Sequence, residues 1–406
     1  MADRELGSRL DALKRHLVTS PIPARKPSVS SRYEKLAESL GAELVSTGAG
    51  TFCSVKTTYP DHYCHGRVTL GDLAGAPLMA MSSFSADETE GMVDSGTMLF
   101  VDTETTGLGG TGAVPFLVGF GSSTPEGFEI RQYLIPDYPD EAGMLEVLMN
   151  EFAPDKTLVS YNGAAFDLPL LNDRVVINRV ARTVPQLRHL DLLHGTRRLF
   201  KRRLRDCSLV NIEREIFDFY RPDDIPGYLI PSVYFSWLAE ESLALLPKVL
   251  EHNRLDIVSL YFLAHLLDDV FQSEGERLVE VDDMHSLARV YGRRRRLDKV
   301  IEIGMKLEVS SNDGLPTDIQ LYHSHAFKRS GCWPEAVDIW ERLAVREGRE
   351  AYWANLELAK YFEHVRPDLT QALHYARAAQ RACPYGKHHL DQLDRRVNRL
   401  MARLGQ

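Results

Sequence analysis

The alternation of apolar and polar positions changes character twice along the chain. Up to about residue 95 periodic runs are few: a short charged, helix-like start precedes Pro21, Pro23 and Pro27, interleaved with Ser28, Ser30 and Ser31, and then mixed segments. Proline lacks a backbone donor and serine competes for the donors of its neighbours, so residues 1–95 read as a linker and a small accessory element. From Thr97 onward, short apolar runs over 98–101, 116–120 and 128–135 have the length and composition of strands and predict three that lie side by side. Helical periodicity over 141–152 follows, then a strand over 157–161, a helix opening near Ala165, a short strand near Leu190 and helices up to Phe271. Strands followed by alternating helices and strands predict an α/β layer fold, here over residues 96–275.

Beyond Glu280 the strand signal stops and a helical pattern recurs with a step of about 36 residues. Ala288, Tyr291, Leu297, Val300 and Leu307 line up with Ser324, Phe327, Trp333, Ala336 and Leu343, and a looser third copy holds Phe362, Ala372 and Ala379. Small, aromatic and aliphatic residues at these spacings let antiparallel helix pairs stack, so residues 280–406 predict an all-α domain of helical-hairpin repeats. The pattern resembles tetratricopeptide repeats, with Gly331, Trp333, Ala336 and Pro384 where that family favours such residues. That resemblance implies a surface for a protein partner.

Composition narrows the function classes. A chain of 406 residues exceeds one ordinary core, and 44% hydrophobic with 26% charged residues excludes global disorder. No apolar run approaches the roughly 18–20 residues of a membrane span, so no membrane partner and a cytoplasmic location are expected. Cys53, Cys64, Cys207, Cys332 and Cys383 are scattered, without a CxxC pair, which argues against a disulfide framework. Cys53, His62, Cys64 and His65 match no zinc finger or ribbon spacing, and strand-packing cysteines with surface histidines are expected there. The net charge of −9 excludes coating of nucleic acid by bulk charge, so any such site is local. Two basic clusters qualify: Arg197, Arg198, Lys201, Arg202, Arg203 and Arg205, and the run from Arg293 to Arg296 at the turn of the first predicted hairpin.

Three segments carry chemistry. In Leu99-Phe100-Val101-Asp102-Thr103-Glu104-Thr105-Thr106-Gly107-Leu108 an apolar strand delivers two carboxylates one residue apart, and side chains alternate along a strand, so both face one point. Their repulsion calls for a cation, and hard carboxylate oxygens suit Mg²⁺ or Mn²⁺. In Tyr161-Asn162-Gly163-Ala164-Ala165-Phe166-Asp167 the acid falls in the first turn of a helix, where the helix dipole favours it. In the long helix around Leu250-Glu251-His252-Asn253-Arg254-Leu255-Asp256, His252 and Asp256 are spaced i, i+4 and share a face. The glycines Gly107, Gly109, Gly110 and Gly112 lack a P-loop lysine and read as a turn beside these acids.

Asp102, Glu104, Asp167 and Asp256, in that order and on those elements, resemble the DEDD superfamily of 3′–5′ exonucleases over residues of about 97–272. Within it the text resembles a bacterial ribonuclease H-like group of the YprB type. The resemblance rests on His189-Leu190-Asp191-Leu192-Leu193, the basic run after Arg197, Cys207-Ser208-Leu209 leading to Glu213, Asp223-Asp224-Ile225-Pro226-Gly227, and His252-Asn253. It implies an α/β, RNase H-like mixed sheet flanked by helices, joined to the helical repeats. It also implies a two-metal Mg²⁺ or Mn²⁺ site on Asp102, Glu104, Asp167 and Asp256, cutting single-stranded DNA or RNA. His252 would be the general base, although it stands four residues before Asp256 where the histidine subtype has five and the tyrosine subtype has tyrosine. Asn162 and Thr105 would position substrate, and the basic run Arg197 to Arg205 would contact phosphates. Structure-selective endonuclease action and a non-catalytic nucleic-acid-binding scaffold are the alternatives.

Overall fold

The structure is a computed structural model describing residues 29–79, 92–107, 112–310 and 314–405. The helix-like start of the chain and the loop residues Gly109 and Gly110 lie outside them. Two compact units result: the described residues up to Leu193 with Leu209–Leu266, and His194–Ser208 with Leu267 onward.

The first unit is built on a seven-stranded sheet. Its strands are β1 (Glu43–Thr47), β2 (Gly50–Tyr59), β5 (Met98–Thr105), β6 (Pro115–Thr124), β7 (Gly127–Leu134), β8 (Thr157–Ser160) and β9 (Arg188–Asp191), while β3 (Cys64–His65) and β4 (Val68–Thr69) form a separate ribbon. The order is β1-β2-β7-β6-β5-β8-β9. Pairing is antiparallel from β1 to β5 and parallel from β5 through β8 to β9. The strand carrying Asp102 and Glu104 is therefore central, where the two pairing modes meet. Residues 1–95 do more than link: β2 pairs with β7 along its length, so the predicted accessory element supplies two strands of the main sheet. The signal was present, since Phe52, Val55, Thr57, Thr58 and Tyr59 have the branched and aromatic side chains of a strand.

Strand alternation assigns the faces of β5. Leu99 and Val101 point into a core shared with Met144, Leu145 and Leu148 of the helix Glu141–Leu148. Phe100 points the other way, with its ring 5.7 Å from that of Tyr261 on the long helix Leu246–Gln272. Asp102 and Glu104 continue the face of Phe100, and the register slips between Glu104 and Thr105, a bulge of the kind that re-aims side chains beside active sites.

The second unit is helical. Paired helices Val281–Arg293 and Leu297–Ser310, Thr317–Arg329 and Trp333–Ala344, Arg349–His364 and Leu369–Ala382 are followed by Lys387–Leu404. The second helices begin at Leu297, Trp333 and Leu369, a constant step of 36 residues. Packing follows the repeat: Phe327, Ala336, Ile339, Trp340, Leu343 and Leu358 share one core, and Trp340 Nε1 donates to the buried Ser324 Oγ at 2.8 Å. The basic helix Leu192–Leu204 contributes all but its first two residues to this unit. Among the described residues no helix is long and apolar enough to cross a membrane.

Candidate metal centre and its supporting network

Close approach of the long helix to the sheet creates the site. On β6, Gly119 lies opposite Asp102 in register, and a Cβ there would stand 2.3 Å from both Asn253 Oδ1 and Ile257 Cδ1. A Cβ on Gly121 would stand 2.5 Å from Ile257 Cγ2. Two glycines one residue apart thus cut a slot in the sheet for a helix stripe of Asn253, Ile257 and Tyr261, spaced four residues apart. The slot lets Asn253 Nδ2 donate to Asp102 Oδ2 at 2.8 Å, while Gln132 Nε2 donates to Asn253 Oδ1 at 2.8 Å and to the Leu250 carbonyl at 2.8 Å. Asn253 is fully buried and so keyed to hold one carboxylate in one rotamer.

Glu104, His252 and Asp256 each offer a ligand atom, all within 4.8 Å of one another. The spacing of four residues on a helix brings His252 and Asp256 together, and the bulged strand end brings Glu104 to them. Asp102 and Asp167 lie near enough to act electrostatically on Glu104 or on each other. Burial pushes Asp102 well above the usual carboxylate range, and the charges of Asp256, Glu104 and Asp167 push it further. Glu104 is raised by burial and then by Asp256 and Asp167. Asp167 is raised by burial to about 6 even though Thr103 Oγ1 donates to it. Carboxylates that are costly to ionise in company, with hard oxygen donors and one imidazole, fit a divalent cation.

Arg221 bonds one acid of the cluster, Asp256, and its charge also acts to lower the pKa of Glu104. Arg221, with a side chain only 2% exposed, donates to Asp256 Oδ1 and, through Nε at 2.6 Å, to Glu213. Burial opposes the charge of Arg221, but Asp256 and Glu213 outweigh it and raise its pKa. Glu213 sits on a π-helical turn, Glu213–Phe217, and accepts from Ser259 Oγ, which also meets His65 Nε2 at 3.0 Å. His65, expected at the surface, is wholly buried and stacked on Phe219 at 3.9 Å, with burial lowering its pKa to about 3. Cys53 is buried on β2 and His62 is exposed as expected, whereas Cys64 is exposed and His65 is buried because the aromatic rings of Phe219 and Phe262, from distant parts of the chain, stack on it.

His252 is oriented by Asp224, whose Oδ1 lies 2.9 Å from Nδ1. Nδ1 also lies 3.5 Å from a guanidinium nitrogen of Arg221, and Nε2 faces Asp256, whose Oδ2 is 3.6 Å away. The second motif is shaped by Asp191: it accepts from the backbone N–H groups of Asn162 at 2.8 Å, Ala164 at 3.2 Å and Leu193 at 3.1 Å. Asn162 takes φ 72°, a left-handed conformation that asparagine tolerates, so the turn delivers Asp167 to the first turn of the helix Asp167–Ile177. Thr105 Oγ1 donates to the Gly107 carbonyl at 2.6 Å, which ties down the strand end.

The basic run behaves differently. Arg202 pairs with Asp282 at 2.6 Å and Asp318 at 2.8 Å, and Arg203 with Asp283 at 2.7 Å, all within the helical unit. Arg197, Lys201 and Arg205 are exposed, and Arg198 is half-buried. Taken singly, Arg221, Gln132 and Gly119 carry no sequence signal for a role here, and Asp224 and Asn253 appear in the sequence only within the stretches that carry the family resemblance. A glycine pair alternating within an apolar strand was the available signal for the slot. Nothing local marks Arg221 for the site, because the partners that bury it, Glu213 and Asp256, are 8 and 35 residues away in the chain.

Comparison with known proteins agrees with this architecture. Residues 99–268 match the RNase_H superfamily. The uncharacterized protein YprB of Bacillus subtilis (strain 168) is 31% identical over 332 residues, spanning 80% of this chain and 79% of that protein. The chain belongs to the YprB family, with an RNase H-like domain in which a nuclease-type fold surrounds the acidic site.

Proposed function

We propose that the protein is a divalent-metal-dependent nuclease that hydrolyses phosphodiester bonds from the 3′ end of single-stranded DNA or RNA. The observation that carries the reading is the convergence of partly buried acids from separate elements beside a histidine whose Nε2 faces Asp256. Asp102, Glu104, Asp167 and Asp256 would hold Mg²⁺ or Mn²⁺. When bound, such ions activate water and stabilise the leaving 3′ oxygen.

The chain's own groups do the rest. His252 Nε2 takes the proton of the attacking water, and Asp224 holds Nδ1–H and stabilises the imidazolium that forms. Asn253 fixes Asp102, and Arg221 balances the charge of Asp256. Asn162 and Thr105, at the mouth of the two motif turns, position the strand. Phosphate contacts from the basic run fall on the exposed Arg197, Lys201 and Arg205, since Arg202 and Arg203 are engaged by acids. A second reading, in which His252 Nε2 binds the metal instead of acting as base, is favoured by the 4.8 Å grouping of Glu104, His252 and Asp256.

The test is cleavage of 5′-labelled single-stranded DNA and RNA, and of a circular single strand, in Mn²⁺, Mg²⁺ or chelator, beside Asp102→Ala. A metal-dependent ladder on linear substrate, lost in the variant, is expected. Cuts in the circle would replace the exonuclease reading by an endonuclease, and binding without turnover would replace it by a scaffold.

A further inference from the structure

In the helical unit, the face between the first two hairpins carries a charge pattern that the packing of the repeats does not need. A pocket of about 350 Å³ is lined by Arg289, Arg293, Arg295 and Arg329 with His325 and Tyr322. No acid lines it. Several other arginines of this unit are matched: Arg342 with Glu308, Arg296 with Asp298, and Arg396 and Arg399 with Glu363. The four pocket arginines are exposed, and among the described residues none has an ion-pair partner. Charges that would ordinarily be spread or paired are instead gathered around one opening.

The repeat explains the gathering. The step of 36 residues carries Arg289 to His325 and Arg293 to Arg329, so equivalent positions on successive hairpins present cationic or imidazole groups. The next step leads to Tyr361 and Val365, where the pattern ends, and the nearby Lys328 and Lys360 are both engaged by Glu357. A merely solvated face would not stop at the pocket. The floor is shaped as well: a Cβ on Gly292 would stand 2.4 Å from Tyr322 Oη, so the glycine makes room for that hydroxyl, which reaches the Ala288 carbonyl at 3.4 Å. Arg289, Arg293 and Arg329 all act electrostatically on the Tyr322 hydroxyl, which places their charges around it. Arg295 takes φ 59° in the hairpin turn, a left-handed conformation costly for a side chain of this size.

We infer that the first two helical hairpins form a second nucleic-acid site, in which Arg289, Arg293, Arg295 and Arg329 bind backbone phosphates of a single strand. Guanidinium groups fork onto phosphate oxygens in pairs, which suits a row of phosphates better than a single carboxylate. An open basic surface with an aromatic side chain inside it is the arrangement that binds single strands without reading sequence. The choice of a nucleic acid over another polyanion rests on the nuclease reading above. The site would hold a strand by its backbone whatever its bases.

The experiment is anisotropy of 5′-fluorescein-labelled dT20 and rU20 with the full chain in chelator, titrated at several KCl concentrations. Wild type is compared with Arg293→Gln/Arg329→Gln and Arg293→Lys/Arg329→Lys, each checked for wild-type melting. Losing two phosphate contacts should weaken binding about tenfold or more and lower the salt slope by about 1.4, at roughly 0.7 per contact on a single strand. The lysine variant should keep most of the slope. Equal affinity and slope in wild type and the glutamine variant would overturn the inference, as would tighter binding of a deca-glutamate peptide than of either oligonucleotide. Arginine-dependent binding without cleavage in Mn²⁺ would sink the nuclease reading alone. Cleavage with arginine-independent binding would sink this one alone.

Discussion

Gly119→Ala is the most direct probe of how the sheet and the long helix build the site. The added Cβ would meet Asn253 Oδ1 and Ile257 Cδ1 at 2.3 Å, against an optimum of about 3.5–4.0 Å for carbon contacts. The helix must retreat by about 1 Å or more. Overpacking of a tight core costs about 1–3 kcal/mol. Weakening the bonds from Asn253 to Asp102 and from Gln132 to Asn253 adds about 1 kcal/mol. In a unit of this size each kcal/mol is worth roughly 2–4 °C, so the sheet unit should melt on the order of 8 °C lower. A displacement of about 1 Å at a catalytic group costs on the order of 100-fold in rate. Calorimetry of the full chain and the single-strand cleavage assay are read beside Gly227→Ala, where a Cβ would meet nothing and no change is expected. The sign is decisive. Alanine without a clash would stabilise a strand by about 0.5–1 kcal/mol relative to glycine, so a variant that melts higher and cuts at the wild-type rate would refute the close-approach argument.

Three further outcomes follow from the same network. Asp224→Asn should lower the turnover rate on the order of 100-fold, with melting little changed, because the Nδ1 proton of His252 loses its anchor; unchanged turnover at saturating substrate would remove His252 as proton acceptor. Arg221→Met strands Glu213 and Asp256 in the interior and should cost about 3–5 kcal/mol, read from urea unfolding; a cost under about 1 kcal/mol would contradict the buried ion-pair assignment. Asp167→Asn should stabilise the protein in chelator. The folded-state pKa of Asp167, about 6, stands above its ordinary 3.8, so the folded state binds more protons in that window. Stability is therefore greatest at low pH and lost as pH rises through about 6. The variant should gain up to about 3 kcal/mol at pH 8, almost nothing at pH 4, and should lose the rise in melting temperature that Mn²⁺ gives the wild type. An equal gain at both pH values would show that charge relief is not its cause.

Much of this site was legible before folding because its determinants are local. Asp102 and Glu104 share a strand face through an alternation that any strand imposes, His252 and Asp256 share a helix face through a spacing of four, and Asp167 opens a helix. The helical repeats were equally readable, since each hairpin packs on its neighbour and the same positions recur. The fate of residues 43–59 was harder to read. Strand propensity was there, but which sheet a strand joins depends on an edge, offered by β7, that lies about 75 residues away.

The chain's pattern alone established an α/β layer, a helical tail, and four acids with a histidine on three elements. It could not establish what those acids face. Gly119 and Gly121 matter only when the long helix lies in their slot, and Arg221 reaches Asp256 only across a loop. Asp224 became the partner of His252, and Arg202 and Arg203 were taken up by Asp282, Asp283 and Asp318 instead of lying open like Arg197, Lys201 and Arg205. The physical reason is the same in each case: periodicity specifies the direction of a side chain within its own element, whereas charge pairing and close packing depend on which elements meet.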